Sequence, residues 1–534
     1  MAEIKEIPLP KRKEGGLVFT VFLLFFILTR TANFSSAHDS IDYLNNLNWG
    51  TNLFINAHLL YHITAYGFMK AVMALHLETH SYYAVELMDS IWASGSMMIV
   101  YLFFRNRFGF NGVSAFISTW VPALSFGFWF YATNIEVYMP PLFFLLCAMY
   151  ILTKKSVNGR DFILVAVLHS MAIMYHQSNI IFLPVVLFRM WQSRDHIRIR
   201  VIFAAYAGIG ILMVAGSYLG ISWFALGYHS WAGFHTWFTG MATQSDYWNP
   251  VALSTLVGAW IGFSHSFIGG HFIFNLPVIS GGLQKLLYYH SLDDEMFLVR
   301  HLSKGMSVLI FAVFIIFLFI MILLVTKVLV QRKRIIAGLQ HVTGTLTVFL
   351  IVYSVFFFFW MPSNLEFWIN QSVIFWVLIL GMSFRTGAVW KFRQPYLSLI
   401  LAICLFLINF IGSLYWLENL NNDLFYRKVQ YVSSHSHAGD LILLRDSWQL
   451  EDYLNRYSAD STAIIPAADT MSRSSLPLAI SRCLARGGKV FFFDEEHIKK
   501  HVVTDNAFLD YLEKYYGTRM KLVEDPYSRL FEIH

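Results

Sequence analysis

Apolar residues run along this chain in long blocks separated by short polar breaks, without the strict alternation of a half-buried strand or the narrow stripe of a soluble amphipathic helix. A hydrocarbon core about 30 Å thick takes roughly 20 apolar residues per helix. On that scale the pattern predicts eleven spans, near 16–33, 83–104, 112–130, 138–153, 161–175, 178–191, 201–223, 304–330, 343–361, 368–384 and 396–416. The breaks divide by charge. Lys11–Lys13, Arg105/Arg107, Lys154/Lys155/Arg160, Arg189/Arg194/Arg198/Arg200, Arg332/Lys333/Arg334 and Arg385/Lys391/Arg393 share one side, which the positive-inside rule makes cytoplasmic. Eleven crossings then place the N-terminus inside and the C-terminus outside. The first run, with "KRK" before it and Ser35 and Ala37 after it, also has the outline of a secretory signal. It is read as a retained span, because its loss would leave the later basic loops harder to orient.

Three segments on the outer side are too long to be turns. Residues 34–82 interleave aromatic and apolar residues with Asn and His, which predicts helices lying along the interface. Residues 224–302, with "GYHSWAGFHTWF" and "GFSHSFIGGHF", suggest re-entrant or interfacial pieces over a cavity. The third is a tail over 417–534, set against a membrane domain over 1–416. In it the β-rich runs "DLILL", "TAIIP" and "KVFFFD" alternate with helical patterns, which predicts a small α/β domain, closed by "RMKLVED" and "RLFEIH" as a hairpin. No Gly-rich phosphate fingerprint follows these strands.

Composition agrees with a polytopic α-helical membrane protein: of 534 residues 57% are hydrophobic and 13% charged, and the mean hydropathy is +0.53. The net charge of +6 sits in the orienting loops, so nucleic acid is excluded as a partner. With only Cys147, Cys404 and Cys483, neither a disulfide framework nor a Cys-based zinc site is available.

The chemistry-bearing residues gather on the outer side. In "SSAHDSIDYLNNLNWG", Asp39 and Asp42 would share one helix face, a spacing that suits a base or a cation site, while Ser36 or Asp39 could equally cap the helix. "INAHLLYHITAYGF" carries His58 and His62, and "HLETH" pairs His76 with His80 at a spacing that suits a metal but lacks a third ligand. Glu136 and Tyr138 lie in "NIEVYMPP", His176 and Gln177 in "YHQSN", and Glu366 in "SNLEFW". An ionisable residue at a membrane boundary is a functional candidate, with interface anchoring as its plain alternative.

Taken in order, "DSID" at 39–42, "AHLLYHITAY" at 57–66, "NIEVY" at 134–138 and "HQ" at 176–177 resemble the motifs of the GT-C superfamily of membrane glycosyltransferases that use polyprenyl-phosphate sugars. The closest likeness is to the bacterial family related to the TMEM-type protein O-mannosyltransferases, and it covers roughly the first 200 residues. The chain departs from that family at Ile41 and Asp42, which replace Gly and Glu, and in "VELMDS", which carries Glu86 and Asp89 where the family has an Arg-Asn type segment. The resemblance implies inverting transfer of a monosaccharide from a polyprenyl-phosphate donor to a glycan, lipid or protein hydroxyl at the outer face of the cytoplasmic membrane, with membrane lipids as surroundings. It implies Asp39 as general base, Asp42 or Glu136 orienting the acceptor, and His58 binding donor phosphate or sugar hydroxyls. Lys285, Arg300, His265 and His271 are the outward cationic candidates for the leaving phosphate. No cofactor is expected, and a divalent cation is left open. The competing reading is a flippase of lipid-linked saccharides, which would carry acids near the middle of its spans and broken helices there.

Overall fold

The computed structural model describes residues 12–34, 37, 39–240, 243, 247–277, 279, 282, 297–385, 394–444, 448–458, 463–466, 475–494, 519–525 and 528–533. Each of the eleven apolar runs carries a helix. Among the described residues six helices are long and apolar enough to cross a bilayer: Ser81–Arg107, Ile199–Phe224, Lys304–Gln331, Leu339–Phe359, Leu365–Phe384 and Pro395–Leu417. The chain is thus a multi-pass, mostly helical membrane protein with a small C-terminal α/β domain.

The other five expected spans differ in form, for local reasons. The run over 112–130 is a broken pair, α5 (Gly112–Ala123) and α6 (Phe126–Ala132), bent by 83°. Pro122 near the end of α5 cannot donate to the helical ladder, and the bend leaves backbone groups that other segments take up. Asn409 donates to the Leu124 carbonyl at 2.7 Å, and the Phe126 amide donates to the Phe267 carbonyl at 3.0 Å. α1 (Arg12–Leu28), α7 (Met139–Leu152), α8 (Gly159–Tyr175) and α9 (Leu183–Gln192) have 17, 14, 17 and 10 residues. Fourteen residues at 1.5 Å each reach only about 21 Å. Their starts are written in sequence: prolines open α7 and α9, and Asn158 with Asp161 forms a reciprocal capping box on α8. α8 stops at His176, whose extended backbone turns the chain into a 3₁₀ segment over Gln177–Phe182.

In the segment after α1, α2 (Ser40–Trp49) and α3 (Tyr61–Ala74) are the expected short helices, joined by a 3₁₀ turn at Asn56–His58, and α4 follows over Ser81–Leu102. The span Ile199–Phe224 contains α10 (Ile199–Gly210) and α11 (Gly216–Phe224), and in the second long segment α12 spans Trp231–Thr239 and α13 spans Leu253–His265.

The chain divides into two compact units. One comprises 1–31, 46–270 and 305–415; the other comprises 32–45, 271–304 and 416–534. In the second unit the strands form where the β-rich runs predict them: β1 Leu441–Leu444, β2 Ala463–Pro466, β3 Val490–Asp494, β4 Arg519–Asp525 and β5 Ser528–Ile533. They form one sheet in the order β2-β1-β3-β5-β4, parallel across the first three and antiparallel at the closing hairpin. The helix Ser475–Ala485 covers one face, burying Leu476 and Ile480 against Leu441, Val490 and Phe492. That burial removes apolar surface from water, at roughly 25 cal/mol per Å².

Candidate functional site

In the membrane unit the motif residues converge from four places in sequence. The Leu60 amide donates to the Met174 carbonyl at 3.0 Å, which ties the start of α3 to the end of α8. His58 and His176 therefore meet, with ring centroids 4.8 Å apart, and Tyr138 stands 5.5 Å from His176. Tyr131 continues the row at 5.4 Å from Tyr138, and its hydroxyl donates to Glu366 Oε2 at 3.1 Å. The Tyr218 hydroxyl donates to the Asn56 carbonyl at 2.8 Å, on the turn that carries His58.

A second chain of contacts runs through Asp89. Tyr61 donates its hydroxyl to Asp89 Oδ2 at 2.7 Å, the Glu136 backbone amide bonds the same carboxylate, and the His62 ring packs edge-on against Tyr61 at 5.6 Å. One acid on α4 thus locks the "HLLYHITAY" helix to the "NIEVY" turn. Glu86, one turn earlier on the same face, is 1% exposed, and neither of its oxygens has a hydrogen-bond partner among the described residues. Arg30 supplies the nearest attractive charge, while its own guanidinium bonds Glu78 at 3.2 Å and lies 3.6 Å over the Tyr83 ring.

Burial decides the charge of the histidines. His62 and His176 are pushed down to about 4 by desolvation, and His58 is lowered by desolvation and then by its neighbours His176 and His62. All three rings are neutral near pH 7. A neutral imidazole offers one donor and one acceptor, which suits sugar hydroxyls better than a phosphate.

The second unit holds the other acids. Asp39 immediately precedes α2 and Asp42 lies in its first turn. Both are half-buried, and the Tyr43 hydroxyl donates to Asp39 Oδ2 at 3.1 Å. The positive end of a helix dipole favours ionised carboxylates at these positions. On the helix Trp448–Tyr457, Asp452 is pushed up to about 7, first by desolvation and then by the neighbouring charge of Asp42. Asp423 is fully buried: its Oδ1 accepts from the Tyr426 amide at 2.9 Å, and its Oδ2 accepts from the Phe34 amide at 2.8 Å and from the Tyr453 hydroxyl.

The remaining candidates are dispersed. His265, at the end of α13, stacks on Phe126 at 5.1 Å and is pushed down to about 4 by burial. His271 is buried in the second unit, and Arg300 there lies exposed with its guanidinium 3.2 Å over the Phe297 ring. Lys285 and Ser36 lie outside the described residues. His80 sits 3.6 Å from Glu78, and among the described residues no group of three or more His, Cys, Asp or Glu side chains is arranged to hold a metal ion.

Arg30, Asp423, Asp452 and Tyr453 are additions that the motifs do not mark, and Tyr61 lies within a motif that does not single it out. Asp89 had a signal, two acids at i,i+3 inside an apolar run, which is expensive unless the acids serve a purpose.

No family model matches the chain, and no curated protein matches it in sequence. Among solved structures it is similar to ArnT from Cupriavidus metallidurans bound to undecaprenyl phosphate, at 9% identity and a TM-score of 0.46 over 98% of each chain. It is also similar to ArnT from that organism in the apo state, at 10% identity and a TM-score of 0.42 over 97% of each chain. Scores of that size carry no argument about chemistry, and the roles below are assigned from the chain's own residues.

Proposed function

We propose that the protein is a glycosyltransferase of the GT-C type, moving a monosaccharide from a polyprenyl-phosphate donor to an acceptor hydroxyl at the outer face of the cytoplasmic membrane. The observation that carries the reading is Asp39: a carboxylate just past the first span, still open to solvent, oriented by Tyr43 and favoured as the anion by the start of α2. A lipid-borne phosphate is confined to that depth by its isoprenoid chain. Asp39 takes the proton of the acceptor hydroxyl, the oxygen forms its bond to the anomeric carbon with inversion, and the bond from that carbon to the phosphate oxygen breaks, releasing polyprenyl phosphate. The step as written uses no cofactor. Neutral His58, His62 and His176, with Tyr138 and Glu136, have the chemistry of sugar-hydroxyl recognition. Asp42 orients the acceptor, and Arg300 is the basic residue assigned to the leaving phosphate.

The orientation follows the basic loops, with the N-terminus cytoplasmic and the C-terminal domain extracytoplasmic. The bent pair α5–α6 speaks for the second reading, a flippase, because broken helices line translocation paths. Against it, Glu86 and Asp89 are the sixth and ninth residues of a 27-residue helix, near its end rather than its middle.

The test is transfer from a radiolabelled polyprenyl-phosphate sugar by Asp39→Asn. A positioned base contributes about 10²–10⁴-fold, so transfer should fall by that factor with donor binding intact. Undiminished turnover would remove the base assignment, and sugar translocation without any transfer by the unaltered protein would favour the flippase.

A further inference from the structure

We propose that Asp423 is a positioning residue, through which the C-terminal domain holds the segment bearing Asp39 in the geometry that transfer requires. The proposal rests on the reading of Asp39 as the base.

Asp423 does more than its local role demands. As N-cap of the helix Leu424–His435 it needs one oxygen, and Oδ1 supplies that bond to the Tyr426 amide at 2.9 Å. Its second oxygen reaches 389 residues back along the chain to the Phe34 amide at 2.8 Å and also accepts the Tyr453 hydroxyl. Charge-assisted bonds to a carboxylate buried from water are the stronger kind. Phe34 is not held alone: the Ala32 amide donates to the Leu417 carbonyl at 2.9 Å, and Asn33 donates to the Asn422 carbonyl at 3.3 Å. Three successive residues are thus fastened to 417–423. Farther along, Asn45 donates to the Asp452 carbonyl at 3.0 Å. Asp39 lies between these two fastenings, five residues after Phe34 and six before Asn45. A base must come within hydrogen-bond reach of its proton, and a misplacement of about 1 Å can cost about 10²-fold in rate. The tail therefore acts on the reaction through the register of residues 32–45.

The experiment uses the full chain in membranes, with transfer from a radiolabelled polyprenyl-phosphate monosaccharide resolved into kcat and donor KM. Asp423→Asn keeps the size of the side chain and loses the charge; kcat should fall about 10²-fold with donor KM within about twofold. Tyr453→Phe keeps the carboxylate and removes one donor, and should lower kcat about tenfold; it decides by the same readout if Asp423→Asn does not accumulate. In the Asp39→Asn background neither change should lower transfer further, since a group that acts through Asp39 has nothing left to act on. Unchanged kcat in both single variants, or losses that multiply with that of Asp39→Asn, would overturn the proposal while leaving the base reading intact. Full turnover by Asp39→Asn alone would overturn both.

Discussion

The two acid-bearing regions of this protein differ in how they meet water, and the proposed chemistry follows that difference. Around His58, His62 and His176 the side chains are buried, and desolvation keeps the imidazoles neutral. Around Asp39 and Asp42 the carboxylates are half-exposed at the start of a helix. Buried neutral groups recognise by hydrogen bonding; an exposed anion can take a proton. On the proposed reading, residues of similar polarity in sequence would serve binding in one place and proton transfer in the other.

Several substitutions would break this contrast or sharpen it. The largest effect is expected from pairing Asp39→Asn with His176→Phe in transfer assays. The first should lower kcat by about 10²–10⁴-fold, whereas the second, which keeps a ring and removes its nitrogens, should act mainly on donor KM. The reverse pattern would exchange the two roles. Next comes Tyr61→Phe, which removes a donor from the buried Asp89 carboxylate and should destabilise the protein by about 1–3 kcal/mol, read by thermal unfolding in detergent. Glu86→Met should leave thermal stability unchanged or raise it, because a buried carboxyl without hydrogen-bond partners among the described residues gives way to an apolar side chain. A clear drop would mean that the attraction of Arg30 outweighs the cost of burying the carboxyl.

The smallest effect concerns pH, and here the two regions should respond with opposite sign. A histidine lowered to about 4 binds fewer protons folded than unfolded, so His62 and His176 cost stability as pH falls from about 6.5 towards 4. Asp452, raised to about 7, binds more protons folded than unfolded, so it costs stability as pH rises from about 4 to 7. Hydrogen exchange read separately over 56–62 and 448–457 should show the two slopes, and Asp452→Asn should flatten only the second. Parallel slopes in both regions would show that burial does not set these charges.

Much of this was legible in the sequence. Hydrophobic blocks marked every helix that became a candidate span, and the strands of the tail formed on their runs. Span lengths were less legible, because apolar content does not reveal where Pro122 or His176 interrupts the ladder. The motif order brought His58, Tyr138 and His176 under one heading, and in the fold their rings are neighbours. Asp423 was invisible for a physical reason: its distant partner is a backbone amide at Phe34, and an amide has no side-chain identity to be read; Tyr453 joins only through the Asp423 carboxylate. Arg300, named from the sequence for the proposed leaving phosphate, is already in contact with an aromatic ring. Arg30 is engaged by Glu78 and Tyr83, and Arg300 lies over Phe297.

The break between α5 and α6 bears on how the protein is made. Asn409 donates to the Leu124 and Phe267 carbonyls and accepts from the Gly269 amide, so one side chain serves backbone groups from two earlier stretches of the chain. The first of these waits 285 residues for its partner. An unpaired peptide group in hydrocarbon costs several kcal/mol, so during synthesis the bent pair must stay hydrated or borrow another partner until residue 409 has entered the membrane. Insertion of the early spans and completion of their fold are therefore separate events in time.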